Sequence, residues 1–234
     1  MYGLGHGGFY FDPTYILVII GFALTMFASF GVKSTFSKFS EVYNRHGITG
    51  AMAARRILDA NGLQHVQVVR IAGELTDNFN PRNNVVSLSE STYDSQSVAA
   101  IGVAAHECGH AVQHQQGYVP IRIRNSIVPV VNIGNMASMP LFILGLILGI
   151  QPLAMFGAIL FGLVLIFQLV TLPVEFNASE RAIKTLEGMY ILDEDEIKGA
   201  KAVLRAAAMT YVASAAATAL QFARLVLLAR GRRR

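Results

Sequence analysis

Hydrophobic positions along the chain fall into four long blocks separated by polar stretches of unequal length. Residues 14–32 form a charge-free run of 19, long enough to cross the hydrocarbon of a bilayer. Residues 127–150 and 153–172 are two more such runs. They are joined only by Gln151-Pro152, a connection so short that it predicts an antiparallel helical hairpin. The fourth block, 206–229, differs. Thr210, Ser214, Thr218, Gln221 and Arg224 recur at helical spacing and cut one polar stripe into an Ala- and Leu-rich helix. Such a stripe suits packing against protein. The pattern therefore predicts three spans, with the fourth block packed at the inner membrane surface and its basic tail, Arg230, Arg232, Arg233 and Arg234, against anionic lipid.

The polar region between the first and second runs carries short-period signals. Thr49 is placed to cap a helix through Ala60, with Met52, Ile57 and Leu58 as apolar positions and Asn61-Gly62 to end it. Residues 66–71 read as a strand, 77–84 as a turn rich in Asn, and 85–89 as a second strand. An apolar helix at 98–112 follows, with Ser97 or Asp94 as its cap. The second strand could pair its free edge with an extended peptide or merely roof the core. The chain thus divides into a tail and first transmembrane helix (1–32), a compact region (33–126), a transmembrane hairpin (127–172), a helix and polar segment (173–205), and an amphipathic helix with a basic tail (206–234).

At 53% hydrophobic and 15% charged, a chain of 234 residues is too apolar for an ordinary soluble domain. Lys33, Lys38, Arg45, Arg55 and Arg56 follow the first run while residues 1–13 hold no Lys or Arg, which predicts a retained anchor with the compact region in the cytoplasm. Arg122 and Arg124 before the hairpin, with Arg181 and Lys184 after it, agree. The net charge of +4 fits membrane orientation, and no nucleic-acid module is visible. The glycines at 3–8 lack the strand-to-helix setting of a phosphate loop and read as a flexible tail. The single Cys108 cannot form an intrachain disulfide.

The candidate chemistry lies in His106-Glu107-Cys108-Gly109-His110, inside the 98–112 helix. Residues four apart return to within about 40° on a helix, so both imidazoles can face one tetrahedral zinc ion. Glu107 is then placed to take a proton from a zinc-activated water. Were these two ordinary core histidines, Glu107 would stand in an apolar stretch without a partner, which is costly. A third ligand is required. Glu175, where the third run returns to the surface, is preferred, because the hairpin brings its two ends together; Glu180 and then Glu187 are its rivals. His114 lies one turn too far along, and His6, His46 and His65 are isolated. Tyr211 is a candidate donor to a developing oxyanion, or a tyrosine that simply packs.

Ala-Ala-His-Glu-Cys-Gly-His-Ala-Val-Gln at 104–113, a two-span hairpin, and Pro-Val-Glu-Phe-Asn-Ala-Ser-Glu-Arg-Ala at 173–182 together resemble the bacterial neutral zinc metallopeptidases of the YugP type. More distantly the pattern is similar to the heat-shock-type and CAAX-prenyl membrane proteases of the gluzincin group. The resemblance spans nearly the whole chain. It implies that His106, His110 and Glu175 bind Zn2+ and that Glu107 is the general base. The implied protein is mainly α-helical and integral to the bacterial inner membrane, with a small α+β gluzincin-like zinc peptidase core on the cytoplasmic face. Its expected activity is hydrolysis of protein or peptide substrates beside the lipid bilayer. A non-proteolytic zinc-binding membrane scaffold or quality-control adaptor is the alternative. In one respect the chain departs from the distant relatives: Ser179 stands where they have an Asp that orients a zinc-bound His, with Asn177 or Glu180 as substitutes for that role.

Overall fold

The structure, a computed structural model, describes residues 12–231. The glycine-rich stretch, His6 and the last three arginines lie outside the described residues. In chain order the elements are α1 (Tyr15–Ser40), α2 (Gly50–Ala60), β1 (Gln67–Ile71), β2 (Asn78–Asn80), β3 (Val85–Ser89), α3 (Glu90–Tyr93), α4 (Val98–Gln115), α5 (Val119–Ile147), α6 (Gln151–Gly188) and α7 (Glu194–Arg230).

Four helices, α1, α5, α6 and α7, are long and apolar enough to cross a membrane. The sequence predicts three, with residues 206–229 at the membrane surface; α7, which holds that block, has the length and hydropathy of a fourth candidate span. That block is part of α7, which packs along α1 and α6 instead of lying across their ends. The polar stripe does not prevent this. Thr210 Oγ1 donates to the Ala207 carbonyl (2.6 Å) and Thr218 Oγ1 to the Ser214 carbonyl (2.8 Å), so these hydroxyls are satisfied within their own helix. Arg224 is neutralised by Asp12, 3.4 Å away beside the start of α1, and lies 4.2 Å over the Tyr15 ring. Side by side, α1 and α7 run in opposite directions, and Gly21 of α1 meets Ala217 of α7.

The hairpin forms as expected, α5 packing along α6. Pro173 lies inside α6 without ending it, so one 38-residue helix carries the chain out of the apolar bundle and past Glu175.

The compact region holds the expected α2, with Thr49 accepting from the Met52 N–H at 3.2 Å and Gly62 at φ 72° where the helix stops. Its sheet differs from expectation. β1 pairs parallel with β3, and β2 pairs antiparallel with the other side of β3, giving the order β1-β3-β2. The stretch expected as turn therefore contains a strand. Asp77 causes it: the carboxylate accepts from the Ser89 backbone N–H (2.8 Å) and hydroxyl (2.9 Å), pinning the segment beside β3. β3 has no free edge, so the substrate edge foreseen there is not available.

Beneath the sheet, Ile57, Leu58, Leu88, Ile101 and Leu186 are fully buried in one core. Each contributes about 1.5–3 kcal/mol by leaving water. α4 runs through this core and is almost wholly buried. Ser97 caps it, accepting from the Ala100 N–H at 3.1 Å, whereas Asp94 is engaged by Arg70. The core therefore fixes α4 from several sides, and with it the His-Glu-Cys-Gly-His turn.

Candidate metal centre

Gly109 decides how closely α6 approaches α4. A Cβ there would lie 2.8 Å from the Ala178 carbonyl oxygen, so only glycine admits the backbone of α6 at this height. The contact sets Glu175 and Ser179, on adjoining turns of α6, against the two histidines of α4. Glu175 Oε2 lies 3.4 Å from His106 Nε2 and 3.6 Å from His110 Nε2. The three ligand atoms lie within 4.8 Å of one another, a possible metal site.

The arrangement suits a cation. Glu175 Oε2 is buried and has no hydrogen-bond partner, a costly condition for a carboxylate oxygen unless something electropositive sits against it. Two imidazole nitrogens and one carboxylate oxygen are the donor set zinc takes in hydrolytic sites, with a fourth position left for water.

The far nitrogen of each ring is also engaged. Gln113, fully buried one turn after His110, donates through Nε2 to the Val174 carbonyl (2.8 Å) and to Asn177 Oδ1 (3.0 Å). Its Oε1 therefore faces His110 Nδ1, 3.0 Å away, and must accept from it. That leaves Nε2 of His110 bare and aimed at Glu175. Ser179 Oγ stands 3.1 Å from His106 Nδ1 and holds the other ring with its Nε2 toward Glu175. Ser179 is thus itself in contact with a candidate ligand histidine. Asn177 serves the opposite histidine through Gln113, and Glu180 turns away to an exposed pair with Lys184.

Glu107 is buried between two cavities. Desolvation pushes its carboxyl above the ordinary range; His106 and His110 oppose that shift, while Glu175 and Asp77 add to it. Burial disfavours charge on the His110 ring, but the Glu175 and Glu107 carboxylates and the Gln113 acceptor more than offset it, leaving the ring more basic than usual. One cavity, about 260 Å³, is walled by Val32, Val103, Leu204, Ala207 and Ala208. The other, about 230 Å³, is bounded by Asn78, Phe79, Pro81, Ile121, Arg124 and Asn125. His106, Glu107, Glu175 and Tyr211 line both, so the two cavities adjoin at the centre.

Sequence reasoning placed His106, Glu107, His110, Glu175 and Tyr211, and all five meet here. Glu187 lies along other grooves, His114 packs edge-on to Phe79, and His46 approaches Asp193. Two participants went unnoticed. Gln113 is legible in retrospect, because i+3 from a histidine puts an amide within reach of its ring. Arg124, whose Nη1 lies 3.7 Å from Glu175 Oε1, had been read only as a membrane-orientation charge.

Residues 14–230 match a family model described as "Putative neutral zinc metallopeptidase". A relative from Bacillus subtilis (strain 168), named "Putative membrane protease YugP", is 45% identical over 212 residues, 91% of this chain and 94% of the relative. No solved structure matches. The chain belongs to the family so described, and its four long apolar helices mark it as a membrane protein.

Proposed function

We propose that this member of the family is a membrane-bound zinc endopeptidase, with His106, His110 and Glu175 as the metal ligands and Glu107 as the general base. The observation that carries the reading is the buried, unpartnered Glu175 Oε2 set between two bare imidazole nitrogens. When bound, zinc supplies a Lewis acid that acidifies water and polarises a peptide carbonyl. Glu107 takes the proton from the attacking water and later delivers it to the leaving amine. Desolvation suits it to both tasks by making it a stronger base than a solvated carboxylate. Tyr211, lining the same cavities from α7, donates to the developing oxyanion. Arg124 steadies the second oxygen of Glu175.

The substrate backbone lies along β2. That strand, not β3, forms the outer edge of the sheet on this side, and Asn78 and Phe79 border the cavity that holds both histidines. This gives the core a gluzincin-like plan. Lys33, Lys38, Arg55 and Arg56 follow the first apolar helix in the chain while residues 1–13 hold no Lys or Arg, which supports a cytoplasmic catalytic face on a bacterial inner membrane. A zinc-binding scaffold would have no use for a carboxylate desolvated between two cavities, which favours catalysis.

Hydrolysis of unfolded casein by the purified protein, blocked by a chelator and restored by zinc, tests the reading. Glu107→Gln should retain zinc and lose hydrolysis; an active Glu107→Gln protein would overturn it.

A further inference from the structure

Beneath the metal centre, three helices carry polar side chains on the faces that supply the site. On α5, Asn135 and Asn132 fall about 20° and 80° around the helix from Arg124, and roughly 17 and 12 Å further along it. On α6, Gln168 falls about 20° from Glu175 and roughly 10 Å below it. On α7, Thr218 stands in the same relation to Tyr211, about 20° around and roughly 10 Å along. Arg124, Glu175 and Tyr211 line one cavity, and α5 and α7 both pack on α6, so the helix faces that carry these polar groups continue from that cavity toward the apolar bundle. Further along, Phe142, Leu225 and Ala229 of α5 and α7 pack into one apolar cluster.

The carboxamides are the informative groups. Thr218 satisfies its hydroxyl within its own helix. The side-chain amides of Asn132, Asn135 and Gln168 have no hydrogen-bonding partner among the described residues, and the two asparagines are exposed. Facing lipid tails they would be strongly disfavoured. Pro129 and Pro140 extend the pattern: neither has an N–H to offer the carbonyls of Asn125 and Met136, which lie about 100° and 120° from Arg124. One flank of a membrane helix thus offers donors and acceptors that nothing in the chain uses.

A carboxamide pairs naturally with a peptide group, since each has one N–H face and one C=O face. A helix hides its own peptide groups; an unwound segment presents them. A permanent second copy on this flank would cover the carboxamides beside the helix that carries Arg124 to the cavity of His106 and His110. We propose that these faces border a cleft which receives an unwound, membrane-embedded segment of the substrate, so that the substrates are membrane-anchored polypeptides cut at the bilayer boundary. This rests on the peptidase reading and names its substrate class.

The test uses zinc-loaded Glu107→Gln protein in phospholipid vesicles, with photoreactive benzoylphenylalanine in place of Asn132, Asn135 or, as a lipid-facing control, Ile133. The probe is a labelled synthetic single-span peptide of Leu and Ala with a Gly-Asn pair near one end. The cleft predicts cross-links to the peptide at 132 and 135 well above those at 133, displaced by unlabelled single-span peptide and not by a soluble peptide. Equal yields at the three positions, or a cross-linked dimer of the protein itself, would overturn it. Should the bulky groups disturb the bundle, Asn132→Leu with Asn135→Leu serves instead. Loss of these hydrogen bonds should raise the KM for cleavage of the same peptide about tenfold, with kcat changed less, and an unchanged KM counts against the cleft. Failure of the peptidase reading would show separately, as absent casein hydrolysis by the wild type, because the cross-link is read in a variant that does not hydrolyse.

Discussion

The joint between α4 and α6 and the joint between α5 and α6 share a helix and a device, a glycine pressed against a neighbouring backbone, yet they are built for different surroundings. At the first, Gly109 meets Ala178, and the helices are then tied by Gln113 and Ser179, each of which holds a histidine. At the second, Gly157 meets Phe142 and Ser138, and apolar side chains do the rest. Between helices in lipid there is little hydrophobic drive, so close packing supplies the cohesion and small residues make it possible. Beside the core the same closeness sets donor atoms to a fraction of an ångström. One contact stabilises; the other tunes.

The largest effect should come from the residue that neither joint needs for packing. Glu107→Gln should lower kcat by about 10²–10⁴ with zinc content unchanged, read by casein hydrolysis and elemental analysis. Next come the two glycines. Gly109→Ala should push α6 away and weaken zinc binding about 10–100-fold, as loss of ligand positioning does elsewhere, measured by competition with a chromogenic chelator. Gly157→Ala should cost about 1–3 kcal/mol in unfolding from overpacking while leaving zinc affinity nearly unchanged. If Gly157→Ala loses zinc as readily as Gly109→Ala, the contrast between the joints is wrong. Gln113→Ala should weaken zinc toward the lower end of that 10–100-fold range, and Ser179→Ala less still, because a lone hydroxyl orients its ring less firmly than an amide fixed at both ends. Cys108 sets the smallest effect. Burial raises its thiol well above the usual value, so it should resist thiol reagents in the folded protein and react once in denaturant.

Much of this was legible because it is local or topologically forced. The histidine spacing follows from helix geometry, and Glu175 follows from a hairpin whose ends must re-emerge together. Three features were not. β2 depends on Asp77 reaching Ser89, a contact between residues whose pairing no short window displays. The fitness of α7 as a candidate span is obscured by its hydroxyls, which look polar in sequence but bond to their own helix's carbonyls, by Arg224, whose counter-ion Asp12 lies at the opposite end of the chain, and by a basic tail that the charge rule would keep inside. Arg124 already had an explanation in the charge rule, so its second role beside Glu175 drew no notice.

Zinc content and zinc-edge X-ray absorption of purified wild type and Glu175→Ala test the central claim most directly. The account predicts about one zinc per wild-type chain in a mixed nitrogen and oxygen shell, with the metal largely lost from Glu175→Ala. An equally loaded Glu175→Ala protein with an unaltered shell would contradict it.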